Sequence, residues 1–101
     1  MGGNDYMKYF KIEESVYHPG KYLLCPIHEK LNLKKTIGSY NVFPARLLNL
    51  TYANYLRYCR DVVGAELIGK KCYYVVPYFN DISKLKEFIK ELENRVDAIK
   101  K

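Results

Sequence analysis

The feature that most constrains this chain is its last stretch, NDISKLKEFIKELENRVDAIKK, residues 80–101. Apolar residues recur there at spacings of three and four, the period of a helix with one buried face. Asp81 or Ser83 can cap its amino end. The predicted apolar face comprises Ile82, Leu85, Phe88, Ile89, Leu92, Val96 and Ile99. Such a helix needs other elements to cover that face.

Two strand-rich regions can provide the cover. Around His18-Pro19-Gly20-Lys21, proline and glycine suit the central positions of a type II turn, which predicts a hairpin within residues 7–27. Residues 65–68 and 72–76 are β-prone and flank Gly69-Lys70-Lys71, which predicts a second hairpin. We expect Pro77 to end the pairing or to lie on a sheet edge. Residues 28–41 predict only a short helix or a loop.

The segment between the hairpins, PARLLNLTYANYLRYCRD at residues 44–61, carries start and stop signals for two helices. Pro44 suits the first turn of a helix, and Asn49 can adopt the left-handed conformation that ends one. Thr51 can cap a second helix over residues 52–63, which would stop at Gly64. The sequence therefore predicts one α+β domain over residues 7–101: hairpin, helix-turn-helix, hairpin and long terminal helix. Residues 1–6 are expected to be a disordered start or a cloning remnant.

This segment resembles the helix-turn-helix motif of DNA-binding regulators. Ala45 matches the small residue of the first helix, Asn49 stands where glycine is usual, and Thr51 matches the polar cap. Leu50 follows the turn, while Leu48, Tyr55 and Tyr58 match positions that pack between the helices. With the hairpin after it as a wing, the resemblance covers residues 44–78. It implies a winged-helix-like regulator. In its small size, basic charge and tyrosine content the chain also resembles many viral and mobile-element proteins.

The charge distribution favours an anion-facing surface in the same region. Residues 30–71 carry eight Lys/Arg against two Asp/Glu, which accounts for the whole net charge of +6. Clustered basic residues gain affinity for a phosphate backbone through counterion release, and guanidinium groups also pair with guanine. The expected function is therefore non-catalytic binding of nucleic acid, DNA ahead of RNA. The expected contact residues are Arg46, Thr51, Tyr52, Arg57, Arg60, Lys70 and Lys71, with Lys34 and Lys35 as further phosphate contacts.

An alternative interpretation places the second helix in the core. Ala53, Leu56, Cys59 and Val63 form one apolar stripe and Tyr55, Tyr58 and Val62 another, so the helix could be buried on two sides. Leu56 would then be interior, whereas a recognition helix would present it outward. The matching alternative function is a protein-interaction module, for example a small viral or structural subunit or an inhibitor of a nucleic-acid-handling enzyme. Its interface would be formed by tyrosines, Tyr73, Tyr74 and Tyr78 among them, and by the terminal helix. That helix could also pair two copies of the chain.

Other chemistries are poorly supported by the sequence. Cys25 and His28 have the gap of metal ligands, but a zinc site normally shows two such pairs and only one is present. Neither cysteine nor carboxylate pattern marks a catalytic group, so no enzyme, metal or cofactor is expected. Three cysteines in apolar runs favour reduced thiols in the cytoplasm. No run approaches the ~20 apolar residues of a membrane span.

Overall fold

A computed structural model of the chain describes residues 7–31, 43–69 and 75–100. The elements in these ranges are β1 (Phe10–Glu14), β2 (Tyr22–Pro26), α1 (His28–Leu31), α2 (Phe43–Leu47), α3 (Tyr52–Tyr58), a π-helical turn (Cys59–Val63), β3 (Glu66–Ile68), β4 (Val76–Tyr78) and α4 (Ile82–Lys100). Two hairpins, short helices and a long terminal helix confirm the predicted α+β class. Residues 1–6, predicted to be a disordered start, lie outside the described residues.

The first hairpin forms where its turn residues predict it. Strands β1 and β2 pair antiparallel, with Phe10 opposite Pro26 and Glu14 opposite Tyr22. The Lys21 amide donates to the His18 carbonyl at 3.1 Å, and Gly20 has φ +85°, a value that suits glycine at this position of the turn. Local turn chemistry is therefore sufficient to locate this hairpin.

The second hairpin also forms. Glu66 pairs with Tyr78 and Ile68 with Val76, so β4 continues beyond Val76, where the predicted return strand ends. Residues 72–74 of the predicted strand lie outside the described residues. Pro77 lies within β4 opposite Leu67, in a two-stranded sheet. Phe79, which follows β4, is 1% exposed and lies in the core.

One bridge joins the two hairpins. The amides of Tyr22 and Phe79 each donate to the carbonyl of the other at 2.8 Å, which links the start of β2 to the residue that follows β4. Nearby, the Lys21 ammonium contacts a Glu66 carboxylate oxygen at 2.7 Å and the Asn80 side-chain oxygen at 3.1 Å. The hairpins thereby form a continuous support on which the helices pack.

Helix α4 provides one side of the core. The Lys84 amide donates to the Asp81 carboxylate at 3.2 Å, so Asp81 is the amino-terminal cap. The buried residues of α4 are Leu85, Phe88, Ile89, Leu92 and Val96. Ile82 and Ile99 were predicted on the same face but are 36% and 48% exposed. They lie at the two ends of the helix, beyond the elements that cover its middle.

The π-helical turn changes which side chains of the second helix are buried. Its wider winding rotates successive side chains by a smaller angle than an α-helix does. Cys59 and Val63 are buried, whereas Val62 is 58% exposed, so the predicted apolar stripe through Val62 is wrong. The helical segment ends at Gly64 with φ +82°, as predicted. Leu56 is buried, as the core interpretation of this helix expects.

Candidate nucleic-acid interface

The turn between α2 and α3 has the predicted chemistry. Asn49 has φ +59°, a left-handed conformation that asparagine tolerates better than most residues, and its amide donates to the Arg46 carbonyl at 3.1 Å. The Leu50 amide donates back to the Ala45 carbonyl at 2.9 Å. The Asn54 amide then donates to the Thr51 hydroxyl at 3.2 Å, which caps α3. These bonds fix where α3 begins.

One side of α3 faces solvent. We call this the α3 edge and define it as the exposed residues Thr51, Ala53, Asn54, Arg57 and Arg60. At 100° per residue, Ala53, Asn54 and Arg57 lie opposite the buried residues Tyr55 and Leu56 of α3. Arg60 follows in the π-helical turn, where it is also exposed. Arg46 is exposed at the end of the preceding helix α2. Four of the seven predicted contact residues, Arg46, Thr51, Arg57 and Arg60, are thus available at the surface.

Arg57 is oriented by its own helix. Its Nη1 donates to the Asn54 side-chain oxygen at 2.8 Å, one turn earlier on the α3 edge. The bond uses one of the five guanidinium N–H donors and leaves the others for a ligand. Asn54 is a candidate contact residue that the sequence analysis missed. The sequence does contain a feature that could have identified Asn54: it precedes Arg57 by three positions, a spacing that brings two side chains together on one side of a helix.

Arg60 has an acidic neighbour. Its Nε donates to Asp61 Oδ1 at 2.8 Å and its Nη2 to Asp61 Oδ2 at 3.2 Å. The Arg60 guanidinium, through this bond, lowers the pKa of the Asp61 carboxyl, so Asp61 stays ionised. A phosphate approaching Arg60 must therefore compete with the Asp61 carboxylate, which already accepts hydrogen bonds from Nε and Nη2 of the guanidinium.

Tyr52 attaches α3 to the second hairpin. Its hydroxyl donates to the Val75 carbonyl at 2.9 Å, and its ring lies 5.9 Å from that of Tyr55. The side chain is half-buried, and burial raises the pKa of its hydroxyl. The Tyr52 hydroxyl therefore joins α3 to the residue just before β4. Lys70 and Lys71, predicted at the tip of this hairpin, lie outside the described residues, as do Lys34, Lys35, Tyr73 and Tyr74.

The cysteines of the described residues are poor nucleophiles. Burial raises the pKa of the Cys25 thiol to about 11, with the nearby Glu13 carboxylate adding to the effect. Burial also raises the pKa of Cys59 to about 12. Both are thiols at neutral pH, whereas the thiolate is the reactive form. Cys25 Sγ lies 3.6 Å from Glu13 Oε1, a contact in which the thiol is the donor.

Within residues 7–31, 43–69 and 75–100, no three His, Cys, Asp or Glu side chains are grouped in a way that could hold a metal ion. None of the helices in the same ranges combines the length and apolarity that crossing a membrane requires.

No protein-family model matches the chain, and neither a curated protein nor a solved structure is significantly similar to it. The chemistry of its own residues is therefore the basis for a functional proposal. The α3 edge is exposed, carries the basic side chains of Arg57 and Arg60, and begins at a capped residue, Thr51.

Proposed function

We propose that the chain is a non-catalytic nucleic-acid-binding protein that contacts DNA, ahead of RNA, through the α3 edge and Arg46. The observation that carries the proposal is Arg57, which is exposed on the side of α3 away from the core and held along the helix by Asn54. A guanidinium in that position can donate two parallel hydrogen bonds to guanine or to a phosphate. The Thr51 cap fixes where α3 begins, and it thereby fixes the position of the Arg57 guanidinium along the helix.

Charge supports the same proposal. The excess of basic residues within positions 30–71 equals the net charge of the whole chain. Arg46 and Arg57 contribute to it from the described part, and neither makes a salt bridge to another described residue. Cations without a carboxylate partner release counterions from a phosphate backbone at the lowest cost. The Asp61 carboxylate beside Arg60 opposes this effect locally.

The test is a titration of labelled duplex DNA, single-stranded DNA and duplex RNA, followed by fluorescence anisotropy at two salt concentrations. The parent should bind at about 50 mM salt and weaken steeply at about 150 mM. The double variant Arg57→Ala/Arg60→Ala should lower the slope of log affinity against log salt by about 1.8, the value for two phosphate contacts. The matched control Lys86→Ala/Lys90→Ala removes the same charge from exposed positions of α4.

The outcomes separate the parts of the proposal. No binding of any nucleic acid at about 50 mM salt would sink the function itself, since electrostatic attraction is strongest there. Equal losses in the Arg57/Arg60 variant and the control would retain nucleic-acid binding but remove α3 as the interface. Tighter binding to RNA than to DNA would reverse the proposed preference.

A protein-interaction module is the second candidate, and one observation favours it. Val16 and Tyr17, at the tip of the first hairpin, are 84% and 87% exposed. The loop that presents them is held by bonds from the Ser15 amide to the Lys21 carbonyl at 2.8 Å and from the His18 amide to the Ser15 hydroxyl at 3.1 Å. A pre-organised tyrosine suits a protein partner, because little entropy is lost when it is bound. Pairing of two copies through α4 remains a prediction.

A further inference from the structure

A groove lies between the π-helical turn and α4, apart from the α3 edge. Its lining residues are Tyr58, Val62, Val63, Lys84, Glu87, Phe88 and Glu91, and its volume is about 220 Å³. Pockets that enclose a drug-sized ligand are larger, roughly 300–1,000 Å³. The groove is instead of a size to receive one large side chain from another protein.

The floor of the groove is apolar and aromatic. The rings of Tyr58 and Phe88 lie 5.7 Å apart with a tilt of 38°, and Phe88 is buried beneath. Val62 stands beside them with 58% of its surface exposed, because the π-helical turn rotates it away from the core. Such turns are frequent at functional sites. The turn leaves an apolar side chain at the groove where an α-helical continuation would have buried it.

The lining of the groove carries both signs of charge, with two carboxylates, Glu87 and Glu91, and one ammonium, Lys84. The Lys84 ammonium lies 4.0 Å from the position that a Cβ on Gly64 would occupy, at the carboxy-terminal end of the π-helical turn, where the helix dipole favours a cation. Arg95 contacts Glu91 at 3.6 Å. Glu87 forms no salt bridge with any residue of the described ranges. An exposed carboxylate beside an apolar floor is therefore left to be matched from outside.

We propose that this groove docks a protein segment that carries an apolar side chain next to a lysine or arginine. The apolar side chain would pack on Val62 and the Tyr58–Phe88 pair, and the cation would meet Glu87 and also lie over an aromatic ring. Phosphate is a poor occupant because the two carboxylates of the lining, Glu87 and Glu91, outnumber its one ammonium, Lys84. The groove thus differs in chemistry from the α3 edge, and one chain could hold nucleic acid and protein at separate surfaces.

The experiment uses the full chain labelled with ¹⁵N and three short peptides. The probe peptide is acetyl-Gly-Arg-Leu-Arg-Gly-amide; one comparison peptide has serine for leucine and the other has glutamate for both arginines. The probe should shift the backbone amide resonances of Tyr58, Val62, Glu87 and Phe88 in a saturable manner. The glutamate peptide should bind about fivefold more weakly, the upper range for an exposed ion pair. The serine peptide should bind at least about tenfold more weakly, because it no longer buries a leucine side chain.

Two surface variants test the assignment to the groove. Glu87→Lys and Val62→Ser should each weaken the probe by about fivefold or more, and their exposure protects the fold. Glu29→Lys on α1 and Ile99→Ser at the exposed end of α4 are the matched controls and should bind as the parent does.

Three results would overturn the docking groove. They are no saturable shift with the probe, shifts confined to residues outside the groove, and equal effects of the groove variants and their controls. Concentration-dependent shifts at the groove without any peptide would assign it to a second copy of the chain instead. Duplex DNA binding by Glu87→Lys is measured in parallel. A variant that loses the peptide but still binds DNA has lost only the groove interaction, and the nucleic-acid interface is then intact.

Discussion

Arg60 and its neighbour Asp61 form a two-point pair, with Nε to Oδ1 at 2.8 Å and Nη2 to Oδ2 at 3.2 Å. The pair is exposed, so water and salt screen it, yet it occupies the same guanidinium face that a phosphate would use. Asp61 also lies in the field of Arg57, which further lowers the pKa of the carboxyl. One carboxylate therefore moderates both arginines of the proposed interface.

Asp61→Asn should strengthen nucleic-acid binding by about two- to fivefold, the range expected for releasing an exposed cation from its partner. The measurement is the anisotropy titration at low salt. Glu29→Gln, which removes one negative charge from α1, is the control and should produce a smaller gain. Weaker binding in Asp61→Asn would show that the pair positions Arg60 for its ligand rather than competing for it.

Asn49→Ala should destabilise the fold by about 1–2 kcal/mol. Alanine has a Cβ that is strained at φ +59°, and it lacks the polar side chain with which asparagine stabilises this conformation locally. Asn49→Gly should be neutral or stabilising at the same position. Urea unfolding followed by circular dichroism measures both. Asn94→Ala, in the exposed middle of α4, serves as the control and should not destabilise. Equal stability of the two Asn49 variants would contradict the left-handed turn.

Phe88→Ala should cost about 3–5 kcal/mol, a large part of the stability of a small domain. Phe88 is 4% exposed, and its ring lies 5.7 Å from Tyr58 and 6.3 Å from both Tyr55 and Phe79. It therefore connects α3, α4 and the second hairpin. Ile99→Ala, at the exposed end of α4, should cost less than about 1 kcal/mol by the same urea assay. Similar losses at both positions would argue against the packing of α4.

The free energy of unfolding should fall as the pH rises above 9. Burial raises the pKa of the Cys59 thiol from 9.0 to about 12, and that of Cys25 to about 11. As the pH rises, the thiols of the unfolded chain consequently lose their protons before those of the folded protein. The contribution of these thiols to the free energy of unfolding is therefore fully present below pH 9 and is lost as the pH rises towards their folded-state pKa values. Urea unfolding at about pH 7.5 and about pH 10.5 measures the loss. Cys59→Ala should show a smaller fall than the parent; an equal fall would exclude a contribution from Cys59.

The parts of the fold that could be predicted from sequence depend on interactions within a few residues. The turn through Gly20, the left-handed Asn49, the caps at Thr51 and Asp81 and the stop at Gly64 all appear where their chemistry places them. Each satisfies a backbone group of its own turn, and that requirement can be read without knowing the rest of the molecule.

Other features depend on distant partners. The position of β4 is fixed by the burial of Phe79 and by its bridge to Tyr22, 57 positions earlier in the chain. The exposure of Val62 follows from a π-helical turn, which no local residue preference signals. At the candidate site, exposure of Arg46 and Arg57 agrees with expectation, while the holding contact of Tyr52 with Val75 does not follow from the pattern.

The sequence by itself determined where the chain turns, where its helices start and stop, and that one face of the terminal helix is apolar, because these are properties of short segments. The tertiary structure alone decided which side chains of α3 meet solvent, how the two hairpins are bridged, and that Glu87 and Val62 border one groove. Those outcomes depend on burying apolar surface between segments far apart in sequence, and the most favourable packing emerges only when all of them are in place.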